Sequence, residues 1–471
     1  MPDCDLAVIG AGASGLSVTA AAAQFGLRVT LIERDRMGGD CLNAGCVPSK
    51  ALLAAAHALR SVQRAHRFGI RLTGPPTLDW NAVREHVHST IARIAPTDSA
   101  SRYHALGAKV LQGEARFLAP NTLAVDGRTM TARRIVIAAG SRPAAPPIPG
   151  LGDLPYWTNA TLFHLSERPD HLLILGGGPV GLEMADAFAC LGCRVTLIEA
   201  DRIASREDPE LVAGLRTVLT ERGVTLLEGT AVAGAKPGPV LTLSDGREIA
   251  GSHLLVATGR QPNLETLGLE AGNVQATRAG IATDVGLRSV SNRRVFAVGD
   301  IADPEGLGPR AFTHVASAHA ALFVRRGLFR VPARLDYTAL SRVIYTGVEL
   351  AQAGLTEAEA RARGHSVQVL RWPLSDNDRA MTERETAGLA KLVAARGRLL
   401  GAGILAPNAG EMIGLWSLAI GQRTSLSALA SLVLPYPTRN EAGKRAAGTA
   451  FAARLFSPRA KSLVRLLARL P

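Results

Sequence analysis

Cysteine is scarce in this chain. Five residues in 471 is an odd and small number, which excludes a secreted disulfide framework and leaves at least one thiol unpaired. Aromatics make up only 4% of the sequence and no basic loop gathers around them, so the net charge of +13 does not point to nucleic acid. Lysine is scarce as well, at six of the 53 basic residues, and the remaining arginines are scattered as on a solvated surface. Long hydrophobic runs are also missing. Gly, Arg, Gln or Ser interrupts every apolar stretch before about 18 residues, so no transmembrane helix is expected. Asp3 and Asp5 stand where the basic region of a signal peptide would be, and a glycine fingerprint already begins at Gly10. A cytoplasmic protein whose fold starts almost at Met1 is expected, with length for two to four domains.

What is present is a repeated nucleotide-binding unit. Leu6-Ala-Val-Ile-Gly-Ala-Gly-Ala-Ser-Gly15 reads as a buried strand, a Gly-x-Gly-x-x-Gly turn and the start of an Ala-rich helix ending at Gly26. Arg28-Val-Thr-Leu-Ile-Glu33 is the next strand. Leu172-Leu-Ile-Leu-Gly-Gly-Gly-Pro-Val-Gly181 repeats the unit, with a helix ending near Gly192 and the strand Arg194-Val-Thr-Leu-Ile-Glu199. One fingerprint is weak, but two in strand–turn–helix–strand context, each closed by an acid, are strong. Gly10 and Gly176 permit the tight turn, and Gly12 and Gly178 let backbone approach a pyrophosphate. Gly15 and Gly181 let helix and strand pack closely, while the helix N-terminal amides hold phosphate. Glu33 and Glu199 accept hydrogen bonds from ribose hydroxyls, so two dinucleotides are expected.

Cys41-Leu42-Asn43-Ala44-Gly45-Cys46-Val47-Pro48-Ser49-Lys50 follows the first unit. Cysteines five apart on a regular helix have Cα atoms ~8 to 9 Å apart, whereas a disulfide needs roughly 4.4 to 6.8 Å. The pair can close only where the chain is still entering the helix, which Gly45 and Pro48 permit. So small a loop stabilises little through chain entropy, which favours a redox role. Cys190 and Cys193 make a Cys-x-x-Cys at the end of the second unit's helix, where small packing residues are wanted and no further metal ligand is near. Cys4 is expected to precede the first strand.

These motifs together resemble the FAD-dependent pyridine nucleotide–disulfide oxidoreductases, the family of dihydrolipoamide dehydrogenase, glutathione reductase and mercuric reductase. Ile137-Ala-Ala-Gly-Ser-Arg-Pro143 and Val256-Ala-Thr-Gly-Arg-Gln-Pro262 resemble its strand-end signatures, and Val295-Phe-Ala-Val-Gly-Asp300 its second flavin motif. The resemblance implies an α/β fold with two Rossmann-like dinucleotide-binding domains, for FAD and NAD, and a C-terminal α+β dimerisation domain. Its segments would be 1–148 for FAD and the cysteine pair, 149–263 for the nicotinamide, 264–335 completing the FAD site, and 336–471 for the dimer interface. Besides the fingerprint residues, it implies FAD or nicotinamide contacts at Ser14, Gly39, Asp40, Lys50, Ala139, Gly140, Gly259, Asp300, Val315 and Ala316. The helix after Phe312 would face the flavin and stabilise negative charge on its reduced form. Cys46 would be the flavin-side, charge-transfer thiol and Cys41 the interchange thiol, with Lys50 paired to Glu183. Glu199 favours NAD(H) over NADP(H), although Arg202 and Arg206 follow it closely.

One departure matters. The family's disulfide reductases carry His-Pro-Thr-x-x-Glu, whose histidine serves as acid–base across a homodimer; here the segment is Pro435-Tyr436-Pro437-Thr438-Arg439-Asn440-Glu441. A phenol of pKa ~10 is protonated at neutral pH, whereas an imidazole near ~6.5 shuttles protons. Tyr436 and Glu441 therefore stand as the altered acid–base pair, and the segment resembles the mercuric reductase version. The C-terminal cysteine pair and the N-terminal metal-binding domain of mercuric reductases are not expected. The function implied is an NAD(P)H oxidoreductase passing electrons through flavin and Cys41–Cys46 to an acceptor that is left open, of the EC 1.8.1 or 1.16.1 kind. The alternatives are a dihydrolipoamide dehydrogenase, and a membrane-peripheral redox partner or sensor. The last rests on the basic amphipathic helix near 459–471, which either packs on a neighbouring subunit or domain or touches a membrane.

Overall fold

A computed structural model describes residues 1–470, which fall into two units. The first comprises Met1–Asp170, Gly234–Val240 and Gly251–Leu335, and the second His171–Ala233, Leu241–Ala250 and the chain from Asp336 on.

In the first unit, β1 (Cys4–Ile9) leads through α1 (Ala13–Gln24) to β2 (Val29–Glu33). Leu6, Ala7 and Val8 are buried in succession, the continuous apolar pattern of a parallel strand covered on both faces. Next come α2 (Gly39–Asn43) and α3 (Cys46–Arg64), then β3 (Lys109–Gln112), β4 (Ala115–Ala119), β5 (Thr122–Val125) and β6 (Arg128–Ile137). The strand order is β3-β2-β1-β6-β5-β4, parallel from β3 to β6 with Leu6 opposite Val29 and Arg134. Gly10 has φ +102°, and a Cβ on Gly15 would lie 1.9 Å from its carbonyl oxygen. The helix thus touches the turn where only glycine fits. Cys4 is the buried first residue of β1 and part of the core, rather than preceding the strand, because the β1 ladder already begins at its pairing with Ala132.

The second unit repeats this construction in β7 (His171–Leu175), α4 (Pro179–Cys190), β8 (Arg194–Ile198) and β9 (Val224–Leu227). The three strands are parallel, and the Gly176/Gly181 approach recurs at 2.0 Å.

The chain then completes the first unit. β10 (Val295–Ala297) lies parallel to β6, Val295 opposite Ile135, and α5 (Thr313–Phe323) follows. Phe296 and Phe323 meet edge-on at 5.0 Å in this unit's core.

The rest of the second unit is an antiparallel sheet of β11 (Ser341–Ile344), β12 (Glu349–Gly354), β13 (Gln368–Pro373), β14 (Leu389–Ala395) and β15 (Arg398–Ala406). Its order is β11-β12-β15-β14-β13. The helices α6 (Ala409–Gly421) and α7 (Glu441–Leu455) share a core with it around the fully buried Trp416. Last comes α8 (Pro458–Leu467), capped by Ser457, with no buried residue at all. Among the described residues, no helix is long and apolar enough to cross a membrane.

Candidate active site

The two cysteines lie on different helices. Cys41 is in α2, Ala44 and Gly45 break the chain, and Cys46 is the first residue of α3. A Cβ on Gly45 would come within 3.0 Å of both the main-chain and a side-chain oxygen of Asp40, which is how tightly the loop folds back. Both cysteines are free thiols, Cys46 exposed and Cys41 partly covered. The Cys41 thiol donates to the Cys46 sulfur. That bond, opposed by burial and helped by the Thr313 hydroxyl and the Lys50 charge, lowers Cys46 from 9.0 to about 6. The same bond, with burial and the Cys46 charge behind it, pushes Cys41 well above the ordinary thiol range. The pair therefore holds one proton at neutral pH, on Cys41, and a thiolate on Cys46. Thr313 Oγ1, at the start of α5, lies 3.2 Å from the Cys46 sulfur. Lys50 is one helical turn from Cys46, half-buried, its Nζ 3.4 Å from Ser49 Oγ.

A polar chain ties this loop to the second flavin motif. Asn159 Nδ2 donates to Asp40 Oδ1 at 3.2 Å and to the Ala44 carbonyl at 3.1 Å. Arg260 pairs with Asp40 at 3.2 Å and donates to both oxygens of Ser141, whose hydroxyl donates to Asp300 at 2.6 Å. Burial raises Asp300, against the lowering by Ser141 and Arg260. Just before it, the Gly299 N–H donates to Nδ1 of the fully buried His319, which burial lowers to about 4. His319 is thus a neutral imidazole whose Nδ1 accepts and holds the loop, with its one proton on Nε2. Thr313, Ser141, Arg260, Asn159 and His319 were not foreseen as site residues. Ser141 and Arg260 lay within the quoted strand-end motifs and Thr313 directly after Phe312, and those positions were the only signal they gave.

The glycine turns fit dinucleotides. A Cβ on Gly12, Gly178, Gly140 or Gly259 would meet nothing within 4 Å, so the backbone there faces open space. Neither α1 nor α4 has a side-chain cap on its N-terminal amides, which leaves them for phosphate. Glu33 accepts from the Ala11 and Asp35 N–H groups, and Glu199 accepts identically from Gly177 and Asp201, at 2.6 to 3.0 Å. Each acid is anchored to its own turn with lone pairs to spare for a ribose. Ser14, Val315 and Ala316 are buried in the first turns of their helices, Ala139 lies half-buried just beyond β6, and Gly39 has φ +59° beside Gly12. Residues present therefore fit FAD in the first unit and a nicotinamide dinucleotide in the second.

In the second unit, Glu183 is buried on α4 and accepts the Tyr345 N–H at 3.1 Å. Tyr436 is exposed, and its hydroxyl donates to Asp378 at 2.6 Å. That bond raises the phenol above its ordinary value, with the Asp378 and Glu441 charges adding to the effect. Glu441 opens α7. Cys190 and Cys193 are buried and not joined in a disulfide, and among the described residues no group of His, Cys, Asp and Glu could hold a metal ion.

Comparison with known proteins agrees with this geometry. The family model described as pyridine nucleotide-disulphide oxidoreductase matches residues 4–322, and the dimerisation domain of the same name matches 340–447. A mercuric reductase of Streptomyces lividans is 41% identical over 464 residues, covering 94% of this chain and 96% of that protein. A dihydrolipoyl dehydrogenase of Thermus scotoductus is 34% identical, covering 94% and 96%. The solved HOCl-induced flavoprotein disulfide reductase of Escherichia coli superposes with a TM-score of 0.83 at 25% identity, over 94% of this chain and 99% of that one.

Proposed function

This chain belongs to the pyridine nucleotide-disulphide oxidoreductases, and from that premise we propose that its Cys41–Cys46 pair takes a soft metal ion from thiol ligands and holds it for reduction by electrons from NADH, as in mercuric reductases, rather than serving lipoamide. The family makes it a FAD-dependent disulfide oxidoreductase and a homodimer; the acceptor and the choice of nicotinamide are our reading. The observation that carries it is Tyr436. Its phenol is tied to Asp378 and raised above its ordinary value, so it supplies no base at neutral pH.

A metal held by two small thiols needs none. The Cys46 thiolate forms the first metal–sulfur bond and expels one thiolate ligand, which takes the proton from Cys41. Cys41 then forms the second bond and expels the other ligand as thiolate. Flavin, when bound, supplies the two-electron relay from nicotinamide. Over the turnover NADH and Hg2+ become NAD+, Hg0 and H+, and the cysteines keep their electrons. In this reading the ligand exchange falls on Cys41 and Cys46 themselves, both free thiols with Cys46 exposed. For the nicotinamide, Glu199 is anchored at the end of its strand and Arg202 is turned onto the Ser205 carbonyl at 2.9 Å, which supports NADH.

Anaerobic titration of the FAD-loaded dimer should consume two electrons per protomer beyond its flavin content. A steady-state screen should then favour dithiolate complexes of Hg2+ over lipoamide, and NADH over NADPH. Lipoamide turnover at or above the metal rate would reject the assignment.

The tail favours a second, compatible reading, contact with an anionic lipid surface. From 454 to 470 there are five basic residues and no acid, while Leu463, Val464, Leu466, Leu467 and Leu470 are all more than half exposed. Co-sedimentation with vesicles containing phosphatidylglycerol should be lost on deleting residues 458–471; retention would refute it.

A further inference from the structure

The first unit contains a cavity of about 760 Å3 walled by arginine. Arg134 comes from β6, Arg288 and Arg293 flank the approach to β10, and Arg326, Arg330 and Arg334 come from the segment after α5. Three separate stretches of sequence thus converge with one sign of charge. Among the described residues, only Arg326 has a carboxylate partner, Asp284 at 2.5 Å. Six guanidinium groups therefore face one acid.

The arrangement is held in place. Asp284 accepts the N–H groups of Gly286 and Arg288, closing a turn on which the Arg326 guanidinium rests. A Cβ on Gly286 would lie 1.5 Å from Arg326 Nη1, so the turn is shaped to that side chain. Arg134 donates to the Gly327 carbonyl, from a segment, Val324–Leu328, wound as a π-helix. Arg288 lies over the Phe296 ring at 5.3 Å, and its Nε is buried with no acceptor. Burial first and neighbouring arginines second lower both Arg134 and Arg288 from the ordinary guanidinium value. Asp284 relieves such crowding only in part, and an entering anion relieves the rest.

We propose that this cavity binds an oligophosphate, two or three linked phosphoryl groups either free or carried on a nucleotide. The guanidinium fork takes two phosphate oxygens at once, so several forks around one cavity suit several phosphoryl groups rather than a single monovalent anion. A volume of this size admits a ligand as large as a nucleotide.

Calorimetric titration of the FAD-loaded enzyme, with saturating NAD+ to fill the nicotinamide site, tests this using tripolyphosphate, ATP and orthophosphate as probes. Tripolyphosphate should bind saturably, at least about tenfold tighter than orthophosphate, and weaken as salt rises. Equal affinity for ATP assigns the site to the phosphate chain alone, and tighter ATP binding assigns it to a nucleotide. Arg330→Gln with Arg334→Gln, at exposed positions, should weaken binding at least about tenfold with an unchanged melting temperature. Arg134→Gln, checked for folding, should do the same. Absence of saturable binding, or affinity equal in the folded variants, overturns the proposal.

Discussion

Replacing Cys41 by alanine removes the hydrogen bond that contributes most to lowering Cys46 from 9.0 to about 6. A thiol of pKa about 6 is ~90% thiolate at pH 7 and one of pKa 9 only ~1%, a ~90-fold difference. Reaction rate at one pH would hide most of this. Thiolate nucleophilicity grows with basicity, and with a Brønsted slope of ~0.45 three units return ~20-fold, leaving only ~4-fold. The informative quantity is the midpoint of the pH profile for iodoacetamide alkylation of the reduced, FAD-loaded enzyme. In wild type it should lie near pH 6, and in Cys41→Ala it should move above 7. The shift stays incomplete because Thr313 and Lys50 remain while burial opposes them. Thr313→Val, at 3.2 Å from the sulfur, should produce a smaller rise in the same direction. A midpoint that stays near 6 in Cys41→Ala would refute the account of the pair. The same charges set the pH dependence of stability. Between about pH 6 and 9 the reduced folded pair binds fewer protons than the unfolded chain, so its contribution grows with pH. Above 9 Cys41 keeps a proton that the unfolded chain has lost, and the contribution declines.

Tyr436→His should raise lipoamide turnover by ~10² or more, the usual worth of a positioned acid–base; unchanged turnover with lipoamide binding intact would contradict the role given to the tyrosine. Lys391 is 5% exposed and lies 2.9 to 3.0 Å from Asp208, Glu210 and Glu357. Lys391→Met strands the buried Asp208 carboxylate and should cost about 3 to 5 kcal/mol in denaturant unfolding; a loss below about 1 kcal/mol would show the cluster to be well solvated. Glu199→Ala should lower the preference for NADH over NADPH in kcat/KM by at least about tenfold, and an unchanged ratio would move the discrimination elsewhere. Deleting residues 458–471 should leave the melting temperature unchanged, since α8 buries no residue.

The two dinucleotide units were legible because their requirements are local. Gly10 and Gly15 meet within a single turn, and Gly176 and Gly181 repeat that meeting, so spacing alone carries the geometry. The break between Cys41 and Cys46 was legible for the same reason, because disulfide distance and helix rise are incompatible over five residues. The partners of that pair were not. Thr313 reaches Cys46 across 267 positions, and Ser141 reaches Asp300 across 159. Hydroxyls at such separations leave no periodicity to read. The arginine cavity is the extreme case. Each arginine, taken in its own stretch, looks like an ordinary solvated surface residue. Folding brings β6, the approach to β10 and the segment after α5 to one wall, and scattered charge becomes a concentrated field. Composition gave no pointer to a nucleic-acid partner and was equally blind to a small anion, because a site for one needs only a few cations that meet.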